Sequence, residues 1–125
     1  MRVCCRKCLR TGSRYIDNMK NDEYFADRII NDLSFIAAHT EGITDAELKS
    51  DEVLLDSMMF RLIQISENAK KLSGQYRADH SNIPWSDIYG LRNRIVHDYG
   101  SIDIGVIYDT LTQDIPDLLT LMQHR

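Results

Sequence analysis

The stretch Leu91-Arg-Asn-Arg-Ile-Val-His-Asp-Tyr-Gly100 carries a dense group of polar side chains, among which Arg92, Asn93, His97 and Tyr99 are the candidates for chemistry. An imidazole, with an unperturbed pKa of about 6.5, both takes and gives a proton near neutrality. A guanidinium is permanently charged and meets phosphate oxygens through paired hydrogen bonds. Together the two can cleave RNA without a metal. The imidazole activates the ribose 2′-OH, and the guanidinium offsets charge on the pentacoordinate phosphorane.

Spacing limits how that pair can work. At about 100° per residue, Arg92 and His97 point about 140° apart on a straight helix, so one helix cannot aim both at a single atom. Three arrangements stay open: the long Arg side chain bends round, the helix end deforms, or two chains share one site. The third predicts a dimer. Asn93 lies near His97. Arg94 faces elsewhere, suited to RNA, a partner or a surface salt bridge. An ordinary reading also exists, because cations favour the C-terminal end of any helix.

The elements that must position these residues read as helices. After Met19, Asn21 or Asp22 can cap a helix on which Phe25, Ile29, Leu33, Ile36 and Thr40 recur at three- and four-residue steps, ending near Gly42. Thr44 and Glu47 have capping-box spacing. Leu55, Met58, Leu62, Ile65, Ala69 and Leu72 mark a second helix from about Asp51 to Ser73, with Gly74 as its stop and the methionines as flexible core filler. A polar connection follows from Gln75 to Asn82. Pro84 suits the first turn of a third helix carrying Trp85, Ile88, Leu91 and Ile95 and closing at Gly100. Ser101 or Asp103 caps a fourth with Val106, Ile107 and Leu111. Pro116 should kink or restart it before Leu118, Leu119 and Met122. No segment reads as a strand. The fold expected is all-α, an antiparallel up-down four-helix bundle with a kinked or broken C-terminal helix.

Composition narrows the function. The chain has 125 residues, 43% hydrophobic and 27% charged, which fits one folded domain and argues against disorder. No apolar run approaches the roughly 20 residues of a membrane-spanning helix, and the start MRVCCRKC lacks the apolar stretch of a secretory signal. A cytoplasmic protein is expected. Residues 1–18 hold five basic residues and one acid, whereas the rest holds ten basic and eighteen acidic residues. A body that acidic is not a general nucleic-acid binder, so any RNA contact must use a local site.

All three cysteines, Cys4, Cys5 and Cys8, lie in the basic leader. Cys5 and Cys8 have the spacing of two zinc ligands, but no second pair or nearby histidine completes four, so they read as free thiols and no metal site is assigned. His39, His80 and His124 lie near segment ends and read as solvated.

Arg92-x-x-x-x-His97 resembles the Rx4-6H motif of HEPN domains, and with Tyr99 the pattern is similar to the HepT-like branch. The likeness extends, in order, through Glu67-Asn-Ala-Lys-Lys-Leu-Ser73, Ile83-Pro-Trp85, Ile88-Tyr-Gly-Leu-Arg-Asn-Arg-Ile-Val-His97 and Asp109-Thr-Leu-Thr-Gln-Asp-Ile-Pro-Asp-Leu118. It covers about Met19 to Met122. The resemblance therefore implies a helical domain over 19–125 and leaves 1–18 as a flexible basic extension.

The resemblance further implies a homodimer whose two motifs meet across the interface. Such proteins are toxins of type VII toxin–antitoxin pairs and metal-independent endoribonucleases that require no cofactor. It implies Arg92 and His97 as the catalytic pair, with Asn93, at the polar position that commonly follows the motif Arg, as a helper that orients groups. It also implies Tyr99 as the acceptor of AMP from an MntA-like nucleotidyltransferase antitoxin, which silences the toxin. The partners implied are RNA, the antitoxin and a second copy of the chain, with room for a higher assembly with the antitoxin. Adenylylation two residues from His97 would set a phosphate beside the imidazole, where it could pair with Arg92 and exclude RNA. The rival reading is a non-catalytic HEPN module that binds a nucleotidyltransferase and assists nucleotide or substrate binding; a helical oligomerisation domain without nucleotide chemistry is a weaker third.

Overall fold

In the computed structural model, which describes residues 14–97, 101 and 103–124 with side chains from Asn21 onward, every regular element is helical. The order is α1 (Arg14–Thr40), α2 (Asp45–Ser50), α3 (Glu52–Lys70), α4 (Gly74–Asp79), α5 (Trp85–His97), α6 (Ile104–Asp109), a π-helical segment (Thr110–Asp114) and α7 (Ile115–Gln123). Among the described residues there is no strand, and no helix is long and apolar enough to cross a membrane.

The long helix α1 begins upstream of its expected cap. Asp22 is buried and faces the turn between α3 and α4: its carboxylate accepts from the Ser73 backbone N–H at 2.8 Å and from the Ser73 hydroxyl at 2.5 Å. A residue type suited to capping thus serves a tertiary contact, and the helix passes through it. At the other end the expectation holds. Gly42 adopts φ +74°, a conformation costly for any residue with a Cβ, and ends the chain's first long element.

Thr44 and Glu47 form the capping box that their spacing predicts. The Glu47 N–H donates to Thr44 Oγ1 at 3.1 Å and the Thr44 N–H to Glu47 Oε1 at 2.8 Å. Asp51 caps α3 by accepting from the Leu54 N–H at 3.0 Å. Gly74 does not stop this helix. It opens α4, a single turn within the segment expected to be a plain connection, and Ser73 caps that turn by accepting from the Tyr76 N–H.

The core fills from apolar positions at helical spacing. Ala26, Ile29, Leu33 and Ile36 of α1 meet Met58, Leu62, Ile65 and Ala69 of α3, with Ile107, Leu111, Ile115, Leu118 and Met122 closing one side. Each large side chain removed from water contributes about 1.5–3 kcal/mol. Helix α1 packs on α3 and on α7, while α3 also packs on α5. Asp22 with Ser73 and Asp32 with Arg61 show that α1 and α3 run antiparallel.

The C-terminal helix does not break at Pro116. Residues 104–123 stay helical, and the irregularity expected there appears as the π segment just before it. Proline removes a backbone donor and crowds the carbonyl four residues back. A wider turn relieves that crowding, and the Ile115 N–H reaches the Thr110 carbonyl across the π turn. Between α5 and the π–α7 segment runs a groove of about 470 Å³, lined in part by Ile88, Leu91, Arg94, Ile115, Leu118 and Leu121.

Candidate functional site

Helix α5 positions most of the candidate residues. Trp85 opens it, the Ile88 N–H bonding to the Pro84 carbonyl at 3.1 Å, and Ile88 and Ile95 fix its buried face. The Ser66 hydroxyl donates to the Tyr89 carbonyl at 3.3 Å and ties α5 to α3 one turn before Arg92. With that face anchored, periodicity turns Asn93 and His97 outward to solvent and leaves Arg92 half-exposed on the side toward α3.

The backbone is α-helical from Arg92 through His97. Of the three arrangements open from spacing, a helix deformed between the two residues therefore does not occur. Arg92 is drawn toward α3, where its Nε lies 3.9 Å from Oε1 of Glu67. Helical geometry leaves Arg92 and His97 about 140° apart in direction. The chain leaves His97 exposed and Arg92 half-exposed.

Arg94 lies on the opposite flank. It lines both the α5–α7 groove and a smaller cavity of about 180 Å³ with Leu62, Ile95, Val106 and Ile107. It takes no part in the surface around Arg92. Tyr99 lies outside the described residues, as do Cys4, Cys5 and Cys8.

Two of the remaining histidines have side-chain partners. His39 stacks on Phe35 with ring centroids 4.0 Å apart, its Nδ1 2.8 Å from the Phe35 carbonyl. His80 stacks on Tyr76 at 4.1 Å and is half-buried rather than solvated, its Nδ1 2.9 Å from the Tyr76 carbonyl. His124 is exposed at the end of α7. Among the described residues, no group of three or more His, Cys, Asp or Glu side chains is placed to share a metal ion.

Glu67 is the neighbour that spacing could not find. Its Oε2 lies 3.5 Å from Lys70 Nζ while its Oε1 faces Arg92, so each oxygen has its own cation. The one signal for it in sequence was its place in the segment from Glu67 to Ser73, which resembles the HepT-like pattern without a role attached to the acid.

Comparison with known proteins agrees with that resemblance. A provisionally named RNase of Caldanaerobacter subterraneus subsp. tengcongensis is 29% identical over 100 residues, spanning 80% of this chain and 89% of the relative. The Probable ribonuclease HepT of Thermococcus cleftensis is 26% identical over 96 residues, 77% of this chain and 86% of that protein. A provisionally named RNase of Methanocaldococcus jannaschii is 23% identical over 90 residues, 72% and 83% of the two chains. No solved structure matches significantly. The profile of the Ribonuclease HepT-like family matches residues 13–125, and the chain belongs to that family.

Proposed function

We propose that this protein is a toxin of the type VII toxin–antitoxin class, an endoribonuclease that cleaves RNA without a metal through Arg92 and His97. The single observation that carries the reading is that both side chains reach solvent on one α-helical stretch of a chain belonging to a ribonuclease family. His97 takes the proton of a ribose 2′-OH, and the freed oxygen attacks the adjacent phosphorus. Arg92 offsets the charge that builds on the phosphorane oxygens. The 5′-oxygen leaves with a proton from the imidazolium, giving a 2′,3′-cyclic phosphate and a 5′-hydroxyl. Asn93, exposed beside His97, orients the reacting groups.

The directions of Arg92 and His97 favour a site completed by two chains. In this reading four helical rods, α1, α3, α5 and α6–α7, form the bundle, and two bundles pair so that Arg92 of one protomer works with His97 of its partner. Tyr99, two residues past His97, is the position at which an MntA-like nucleotidyltransferase attaches AMP and silences the toxin. The protein acts in the cytoplasm.

The test is cleavage of RNA by the purified protein in the presence of EDTA, with Arg92→Ala and His97→Ala as comparisons. Cleavage by the unsubstituted protein and its loss in both variants is the expected result. RNA left intact by the unsubstituted protein, with and without its nucleotidyltransferase, would favour the non-catalytic HEPN module.

A further inference from the structure

We infer that Glu67 is a positioning residue for Arg92, an anionic post on α3 that sets the direction of the guanidinium. The inference rests on the reading of Arg92 as the group that meets the scissile phosphate, and it adds a residue to that site. The geometry has three parts. Glu67 Oε1 lies 3.9 Å from Arg92 Nε, on the inner side of the guanidinium fork. Glu67 Oε2 lies 3.5 Å from Lys70 Nζ, so a second cation faces the carboxylate's other oxygen. The Ser66–Tyr89 hydrogen bond holds the two helices together at the same level.

The chemistry follows from where the contact falls. A guanidinium has five N–H donors, one on Nε and four on the two terminal nitrogens. A carboxylate on the Nε side leaves the terminal pair for two-pronged contact with phosphate oxygens. Among the described residues no partner engages those terminal nitrogens. An arginine left to roam would lose much of that orientation, since its long side chain samples many rotamers. Glu67 itself is half-exposed at the same surface, and its negative charge repels an approaching phosphate. The residue therefore weakens ground-state binding of RNA while improving the aim of Arg92 in the transition state.

That opposition gives a signature that a merely structural carboxylate lacks. Glu67→Gln keeps shape and removes charge. It should lower kcat roughly fivefold, the scale of one exposed ion pair, while leaving KM unchanged or reduced. It should also bind a 2′-O-methylated oligoribonucleotide, which cannot react through its 2′-oxygen, more tightly than the unsubstituted protein. Glu67→Asp, which keeps the charge, should recover part of kcat. Single-turnover cleavage with excess protein extends the comparison to an Arg92→Ala background, where Glu67→Gln should cost nothing further.

Unchanged kcat in Glu67→Gln, or an equal loss with and without Arg92, would overturn the inference. If the Arg92→Ala rate is too slow to measure, the split between kcat and KM decides alone. Arg92→Ala protein that cleaves at the full rate would instead remove the reading of the site on which the inference rests, whatever Glu67 does.

Discussion

Asp22, two turns into α1, accepts two hydrogen bonds from Ser73 in the turn between α3 and α4, one from its backbone N–H and one from its hydroxyl. The same Ser73 oxygen accepts from the Tyr76 N–H, so one carboxylate organises the helix pair and the cap of the next turn. Removing a buried acceptor strands its donors at about 1–3 kcal/mol. Asp22→Ala should therefore destabilise the fold by about 2 kcal/mol, read as a lower urea midpoint. An unchanged midpoint would mean that the contact carries no net weight.

His97 stands in contrast. It is exposed and supports no packing in the described residues, so His97→Ala should shift stability by no more than about 0.5 kcal/mol. Cleavage of RNA should nonetheless fall by roughly 100-fold or more, the contribution typical of a general base. The paired readout is thermal unfolding beside product formation on one preparation.

How legible this protein was in its sequence depends on the range of the contact. The Thr44–Glu47 box and the α3 core positions follow from residues a few places apart, and each is found as spacing predicts. Asp22 and Gly74 misled for one reason: their types suit helix ends, but Asp22 is recruited by Ser73 and Gly74 follows that serine's cap. The grouping of Arg92, Asn93 and His97 was legible because it lies within one helix. The pull of Glu67 on Arg92 was not, because it requires α3 to lie beside α5, a relationship no local spacing contains.

Tyr99 gives a prediction on silencing. Incubated with the cognate nucleotidyltransferase and ATP, the protein should gain the mass of one or more AMP groups and lose ribonuclease activity. Tyr99→Phe, which lacks the acceptor oxygen, should stay unmodified at that position and keep cutting in the partner's presence. Full modification of the Phe variant, located by peptide mass analysis to another residue, would reassign the acceptor.

The sharing of one site between two chains is tested most directly by mixing subunits. Arg92→Ala and His97→Ala proteins, each inactive alone, are unfolded together, refolded and assayed on RNA. A hybrid dimer then holds one site with both groups intact and one with neither. Random pairing in a two-fold dimer should restore about a quarter of the unsubstituted activity. No recovery, with hybrid dimers verified by mass, would contradict the account, because it would place both groups of each site within a single chain.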